Sequence, residues 1–237
     1  MNDRYIQRVL INWDKIEQDS YLREIQAIHD LEELDLHKNI TFFVGENGSG
    51  KSTLLEAIAV AHGFNAEGGT INYRFSTYDD VSELSQAVTL VRGYRKPKSG
   101  YFFRAESFFN VATALTMKYN DDGAMPDFHA ESHGESFLSF MQGSDREGLY
   151  LMDEPEAALS PQRQLTLLIH IVKMAEKGSQ FIIVTHSPIL LGIPDAEIYS
   201  FDDGEVHPVG YEETESYQVT KLFLENREMM LKRLLGE

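Results

Sequence analysis

The fold is decided by one short stretch, Gly45-Glu46-Asn47-Gly48-Ser49-Gly50-Lys51-Ser52, which matches G-x-x-x-x-G-K-[ST] at every fixed position. A run of strand-forming residues, 40–44, precedes it, and residues 52–62 follow with the apolar spacing of a helix. Glycines let a backbone curl so that successive N–H groups point at phosphate oxygens, and the start of a helix adds its positive end. The stretch therefore predicts a phosphate-binding loop made of Gly45, Glu46, Asn47, Gly48, Ser49, Gly50, Lys51, Ser52 and Thr53.

Two side chains of this loop have the chemistry to act on a nucleoside triphosphate. Lys51 is expected to reach the β- and γ-phosphates of ATP, and the Ser52 hydroxyl to ligate Mg²⁺. The alternative is a glycine-rich turn that matches the pattern by chance. The predicted strand before the loop and the predicted helix after it favour the functional interpretation, because a phosphate-binding loop lies between a strand and a helix.

A second pattern places two carboxylates at the end of an apolar strand. Residues 148–152 form the predicted strand, and Asp153 and Glu154 follow it directly. We expect Asp153 to hold Mg²⁺ through water and Glu154 to act as the catalytic base that polarises an attacking water molecule. The alternative is that the two carboxylates only form a solvated strand end before Pro155. The phosphate-binding loop in the same chain disfavours this alternative.

Composition limits the class of protein. The chain has 237 residues, of which 42% are hydrophobic, and its net charge is −17 with no cysteine. These values predict a single globular domain over residues 1–237, exclude thiolate metal sites, and disfavour nucleic-acid binding over the whole surface. No apolar run is long enough for a membrane helix, and residues 1–10 lack a signal-peptide pattern, so we expect a cytoplasmic protein without direct membrane insertion.

The remaining segments alternate between strand and helix patterns, which predicts an α/β layered domain. We expect strands over residues 101–103 and 181–184, and a hairpin around Asp203-Gly204. Helices are expected from Asp79 or Asp80 to about Val91, over 108–118, from a Ser160 cap onward, and over 216–235. The cations Arg92, Arg95, Lys96 and Lys98 could form a patch for nucleic acid, but the nearby turn formers favour a solvated turn.

Three further pieces resemble the ABC ATPases. Residues 153–160, Asp-Glu-Pro-Glu-Ala-Ala-Leu-Ser, look like that family's Walker B and D-loop run, although transporters usually have Asp at the position of Ser160. Thr185-His186-Ser187 resembles the H-loop, which implies that His186 contacts the γ-phosphate and the attacking water. Ser132-His133-Gly134-Glu135 resembles the signature motif, with His133 in place of a glycine.

The resemblance is to the SMC and DNA-repair branch, and in particular to small stand-alone bacterial ATPases without a coiled-coil arm. It implies a P-loop NTPase fold of ABC-ATPase type: a mainly parallel central sheet flanked by helices, a β-rich edge, and an inserted helical signature subdomain at about 104–147. It also implies an ATP-dependent homodimer in which Ser132, Gly134 and Glu135 act in trans. Glu106 follows the strand at 101–103 and is the candidate for the Q-loop residue, near Mg²⁺ or the attacking water. Trp13, or a residue near Arg74 and Phe75, could contact the adenine, although core packing is the favoured role for Trp13 and Phe75.

Several functions fit these motifs. The leading one is an ATP-hydrolysing, dimerising switch that serves DNA maintenance or repair, or that controls a protein effector of a defence module. The alternatives are the ATPase subunit of an ABC transporter, a P-loop small-molecule kinase, and a module that binds ATP without hydrolysing it. Glu154 and His186 serve water attack and therefore disfavour the last two. The net charge predicts that any direct contact with nucleic acid is weak.

Overall fold

The computed structural model describes residues 4–70, 82–104, 138, 141, 146–157 and 159–236. Within these residues the chain forms a seven-stranded sheet, a three-stranded sheet and helices on both sides of the larger sheet. The strands are β1 Ile6–Ile11, β2 Glu33–Asp35, β3 Ile40–Val44, β4 Gly69–Thr70, β5 Val88–Arg92, β6 Ser99–Arg104, β7 Gly148–Asp153, β8 Gln180–Val184, β9 Glu197–Ser200 and β10 His207–Pro208. The helices are α1 Gln26–His29, α2 Lys51–His62, α3 Leu84–Ala87, α4 Pro161–Glu176, α5 Pro188–Leu191, α6 Glu215–Glu225 and α7 Arg227–Leu235.

The larger sheet has the strand order β10-β9-β3-β8-β7-β6-β4. The five inner strands are parallel to their neighbours, and the short edge strands β10 and β4 are antiparallel. All residues of β3 and β8 are buried, as expected for parallel strands covered on both faces. The predicted α/β fold with a mainly parallel central sheet is confirmed. Because the inner strands are parallel, their carboxyl ends meet along one edge.

Side chains alternate between the two faces of this sheet and form two apolar cores. Phe43 points into a core that contains α2 and the three-stranded sheet, whereas Phe42 points into a core that contains α4 and α5. Helix α4 contributes Leu167, Ile171 and Met174, which recur with helical spacing. The cores hold β3, β7 and β8 rigidly, so the loops at their carboxyl ends start from fixed positions.

The predicted helix from Asp79 or Asp80 to Val91 is wrong in its described part. Only Leu84–Ala87 is helical, and Val88–Arg92 is strand β5, which pairs antiparallel with β1. Val88 and Leu90 turn toward the core while their neighbours are exposed, and β-branched residues favour an extended backbone. The three-stranded sheet β2-β1-β5 supplies the predicted β-rich edge.

Other local predictions are confirmed with small changes. Asp203 and Gly204 both have positive φ values, 60° and 80°, in the turn that joins β9 to β10. Ser160 lies at the N-cap of α4 and Pro161 opens the helix, but the Ser160 side chain forms no capping hydrogen bond. The predicted tail helix is two helices, α6 and α7, that meet at Asn226, and neither buries a residue fully. No helix in the described ranges is long and apolar enough to cross a bilayer.

Candidate functional site

The predicted phosphate-binding loop lies between the end of β3 and the start of α2. Gly45, Gly48 and Gly50 have φ values of 138°, 84° and 95°, a region that favours glycine. A Cβ atom on Gly45 would lie 2.9 Å from Asp202 Oδ1, and one on Gly50 would lie 2.9 Å from Ile25 Cγ2. Both conformation and space therefore require glycine at the two ends of this loop.

Lys51 starts α2 and is 5% exposed. Its Nζ donates hydrogen bonds to the carbonyl oxygens of Gly45 (2.7 Å) and Glu46 (2.6 Å) and to Ser49 Oγ (3.3 Å). Burial lowers the pKa of Lys51, and the carboxylates of nearby acidic residues, Asp202 first, oppose this shift. The ammonium group is thus held within the curve of the loop, among backbone groups.

The two predicted metal ligands lie together. Ser52 Oγ donates a 2.9 Å hydrogen bond to Asp153 Oδ1 across the gap between α2 and the end of β7. A hydroxyl and a carboxylate oxygen are the hard donors that Mg²⁺ accepts, usually with phosphate oxygens and water completing its shell. No cluster of three or more His, Asp or Glu side chains that could hold a metal occurs in the described ranges.

Arg104 is a neighbour of this pair that the sequence analysis missed. It ends β6, in register with Asp153 on β7, and its Nε lies 3.9 Å from Asp153 Oδ2. Its Nη1 forms a 2.6 Å ion pair with Glu56 of α2. Arg104 therefore connects the helix that follows the phosphate loop with the strand that carries the acidic pair.

Glu154 and His186 are brought together by adjacent parallel strands. They follow β7 and β8, and Glu154 Oε1 lies 3.8 Å from His186 Nε2. Both side chains are about two-fifths exposed, 44% and 41%. Glu154 has a positive φ of 48°, and its N–H donates to the Val184 carbonyl at 3.0 Å. A non-glycine residue in this region is strained, and such strain is concentrated at functional sites.

Glu156 is a second acidic residue whose place the sequence analysis did not predict. Its Oε1 accepts hydrogen bonds from Thr185 Oγ1 and from the His186 N–H, both at 2.7 Å. Burial raises the pKa of the Glu156 carboxyl, and the charge of Glu154 adds to this, while the donors from Thr185 and His186 oppose it. Its Oε2 is buried without a hydrogen-bond partner among the described residues.

Asp202, at the end of β9, supports the phosphate loop from the other side. Its Oδ1 accepts the Glu46 N–H at 2.8 Å, and its Oδ2 accepts the Ser200 hydroxyl at 3.1 Å. No local pattern indicates this contact, because it joins residues 156 positions apart. Asp202 thus fixes the first turn of the loop.

Part of this site borders a cavity of about 1090 Å³. Residues 45–49 of the loop, His186 and Asp202 line it, whereas the side chains of Lys51, Ser52, Asp153 and Glu154 do not. One side consists of the loop with Thr185 and His186, and the other sides are formed by residues 21–27, the β9–β10 hairpin and the start of α6. Tyr21 faces this cavity and is 58% exposed. Trp13, considered as an adenine contact, does not line it: its indole N–H donates to the Leu31 carbonyl and its ring packs on the core.

Several predicted residues lie outside the described part of the chain. These are the signature candidates Ser132, His133, Gly134 and Glu135, the Q-loop candidate Glu106, and Arg74 and Phe75. The predicted subdomain at 104–147 is described only at 104, 138, 141, 146 and 147. Thr53, by contrast, is described within the first turn of α2.

The basic patch joins two strands, β5 and β6, rather than a helix and a strand. Arg95 and Lys98 both form ion pairs with Glu147, and Arg92 donates to the Ala61 carbonyl. Glu147 thus partly neutralises the charges of Arg95 and Lys98, which supports the interpretation as an ordinary turn rather than a nucleic-acid surface.

Two family models match separate parts of the chain. One, described as an AAA domain, matches residues 21–89; the other, described as "AAA domain, putative AbiEii toxin, Type IV TA system", matches residues 131–192. No curated protein matches the chain. The first model spans the phosphate loop, and the second spans the acidic pair and His186.

Among solved structures, the chain is similar to cbiO1 from Clostridium perfringens, part of the ABC transporter complex cbiONQ, with 16% identity and a TM-score of 0.53. The alignment covers 99% of this chain and 100% of that chain. An SMC head domain from Thermotoga maritima aligns with 13% identity over 87% of this chain and 99% of that one, with a TM-score of 0.44. The first likeness shows the fold, and the second is too distant to add to it. The chain therefore has the fold of the ABC-type P-loop ATPases, and the two AAA models match the segments that carry its phosphate loop and its acidic pair.

Proposed function

We propose that the chain is an ATP-dependent switch that hydrolyses ATP and closes as a homodimer around two nucleotides. The observation that carries the proposal is the approach of Glu154 to His186, 3.8 Å apart, just after the adjacent strands β7 and β8. Strand β8 also pairs with β3, which leads into the phosphate loop. A base and an imidazole in this position suit the attack of water on a γ-phosphate. A kinase would instead need an acceptor pocket in place of a water-activating carboxylate.

The proposed mechanism assigns each group one task. The N–H groups of residues 45–52 and the ammonium group of Lys51 hold the phosphates, and the Ser52 hydroxyl and Asp153 hold Mg²⁺, which neutralises phosphate charge when bound. Glu154 accepts a proton from the attacking water and orients it. His186 donates a hydrogen bond to the γ-phosphate or to that water, so the imidazole nitrogen that faces them must carry a proton.

The base of the nucleotide needs a surface on the same cavity. Tyr21 lines the cavity next to the loop and exposes 58% of its area, which suits stacking against a flat ring. We therefore assign Tyr21, rather than Trp13, to the adenine end of the site. Glu106 stays a proposed contact to Mg²⁺ or water.

Dimerisation follows from the resemblance of residues 132–135 to a signature motif, with Ser132, Gly134 and Glu135 closing on the nucleotide of the other copy. The proposed role is the control of a protein effector in a defence module, which the toxin–antitoxin description of the model over residues 131–192 supports. The second candidate role for the same switch is DNA maintenance, as in the SMC-like branch. We place the protein in the cytoplasm in either role.

The alternative is the ATPase subunit of an ABC transporter, which the fold shared with cbiO1 would equally accommodate. Ser160, at the position where transporters usually have Asp, favours the non-transporter branch. A transporter subunit would show nucleotide-dependent association with membrane subunits, whereas the proposed switch acts without them.

The proposal is tested by the mass of Glu154→Gln protein in solution, with and without Mg-ATP. We expect ATP to bind, turnover to stop, and the mass to double, because the variant retains the phosphate contacts but lacks the base. The same variant carrying Lys51→Ala is the control and should stay monomeric. A monomer with ATP demonstrably bound would contradict the shared site.

A further inference from the structure

We propose that Glu156 is a positioning residue for hydrolysis: it fixes the turn 185–187 and thereby sets the His186 imidazole against Glu154. This inference rests on the proposed function, since it names the residue that orders the same site. Glu156 itself contacts no part of the proposed reaction centre except through this turn.

The first observation is that one carboxylate oxygen accepts two donors from consecutive residues. Glu156 Oε1 takes the Thr185 hydroxyl and the His186 N–H, both at 2.7 Å. The Thr185 hydroxyl in turn accepts the Ser187 N–H at 3.0 Å. Hydrogen bonds to an ionised carboxylate are short and strong, so the backbone of the turn has one defined position.

The other side of the turn is anchored independently. The Ser187 hydroxyl donates to Gln164 Oε1 of α4 at 2.6 Å and accepts the N–H groups of Ile189 and Leu190. The turn is therefore held between the segment that carries Glu156 and helix α4. Loss of the Glu156 side would leave the turn held by the Ser187 contacts and by the Thr185 N–H, which donates to the Phe43 carbonyl at 3.3 Å, with no bond to the His186 N–H itself.

The second observation concerns His186 itself. In the described part of the chain, its imidazole has one polar approach, the 3.8 Å separation from Glu154, and the side chain is 41% exposed. Side-chain packing therefore does little to place the ring, and its backbone must do so. Glu154 and Glu156 are two residues apart on one turn, so the same segment places both the base and the imidazole.

The third observation is that burying the Glu156 carboxylate costs folding free energy. Burying a carboxylate is unfavourable unless a cation or sufficient donors compensate, and Glu156 forms no ion pair among the described residues. Its Oε2 is buried and unpartnered there. A buried polar atom that stays unsatisfied is more expected at a functional site than in an ordinary core.

A double-mutant cycle tests the proposal through steady-state ATP hydrolysis of the full chain. Glu156→Ala should lower kcat on the order of a hundredfold, because a displacement of about 1 Å in a catalytic group has effects of this size, while KM for ATP changes less than about twofold. In a His186→Ala background the same change should cause no further loss. Glu156→Gln keeps the acceptor oxygen and should recover most of the activity.

Glu176→Ala, an exposed carboxylate at the end of α4, is the matched control and should behave as the wild type. Equal losses from Glu156→Ala with and without His186 would overturn the proposal, as would a raised KM at unchanged kcat. If Glu156→Ala does not fold, Thr185→Val removes one of the two bonds, and its loss must likewise vanish in the His186→Ala background.

A readout that needs no hydrolysis separates this inference from the proposed function. Amide hydrogen exchange at His186 should be faster in Glu156→Ala than in Glu156→Gln, with exchange in β7 and β8 unchanged. Unchanged exchange at His186 would refute the positioning contact even in an active enzyme. Absence of ATP turnover in the wild type would refute the proposed hydrolysis. The exchange rate at His186 would still show whether Glu156 holds the turn 185–187.

Discussion

The loop predicts a measurable difference between two glycines that look equivalent in the sequence. Gly45→Ala and Gly48→Ala both place an alanine at a positive φ, 138° and 84°, and each should cost about 1–3 kcal/mol in strain. A Cβ atom on Gly48 meets nothing within 4 Å, whereas one on Gly45 lies 2.9 Å from Asp202 Oδ1 and 3.3 Å from the Phe201 carbonyl carbon.

The additional cost at Gly45 follows from the constraints on Asp202. This side chain is held by the Glu46 N–H and the Ser200 hydroxyl, so it cannot swing away without losing at least one of these bonds. A hydrogen bond to a charged group contributes about 1.5–3 kcal/mol. We therefore expect Gly45→Ala to lower the free energy of unfolding by about 2–3 kcal/mol more than Gly48→Ala does.

Urea unfolding measures this difference, with far-UV circular dichroism and the fluorescence of Trp13, the only tryptophan, as probes. A difference of about 2–3 kcal/mol corresponds to several degrees in Tm for a chain of this size. Equal destabilisation, within about 0.5 kcal/mol, would refute the account of Asp202 as a rigid support. An unchanged slope m in both variants is required for the comparison.

Two further predictions concern single side chains. Lys51→Ala should weaken ATP binding by on the order of tenfold to a hundredfold, because it removes a charged donor to the phosphates; titration with a fluorescent ATP analogue measures it, and unchanged affinity would refute the loop assignment. Burial lowers the pKa of His62 to about 4, and Arg92 adds to this, so the folded state keeps the neutral ring while the unfolded state titrates near 6.5. Stability relative to His62→Gln should therefore be full above about pH 6.5 and fall by about 3 kcal/mol as the pH drops to about 4, measured by urea unfolding; a pH-independent difference would contradict the burial.

The parts of the fold that the sequence predicted correctly are those with local signals. The strand Ile40–Val44, the helix after the loop and the β9–β10 hairpin each follow from a few adjacent residues. The three-stranded sheet was missed because β1 pairs with β5, about eighty residues away, and Val88–Arg92 alone is ambiguous between strand and helix. Such pairing depends on tertiary contacts that no short window contains.

The same distinction applies to the site. The loop and the acidic pair Asp153 and Glu154 have fixed spacing, and His186 was predicted from the resemblance of the segment after strand 181–184 to the H-loop. Arg104, Glu156 and Asp202 were missed because each acts through a residue distant in sequence. Glu156 stands in a quoted motif, but no spacing rule links it to the turn that it contacts.

The backbone of Glu154 has a consequence for how such chains change over time. Its φ of 48° costs on the order of 1 kcal/mol for most residues with a Cβ atom; glycine would remove this cost, and asparagine, whose short side chain can bond locally, would relieve part of it. Under the proposed mechanism, selection for hydrolysis maintains the strain, because the base must be a carboxylate at this point. In a lineage that needed only to hold ATP, random substitution at position 154 would gain stability by drifting to glycine or asparagine. The residue found there in any descendant is therefore a record of whether turnover is still under selection.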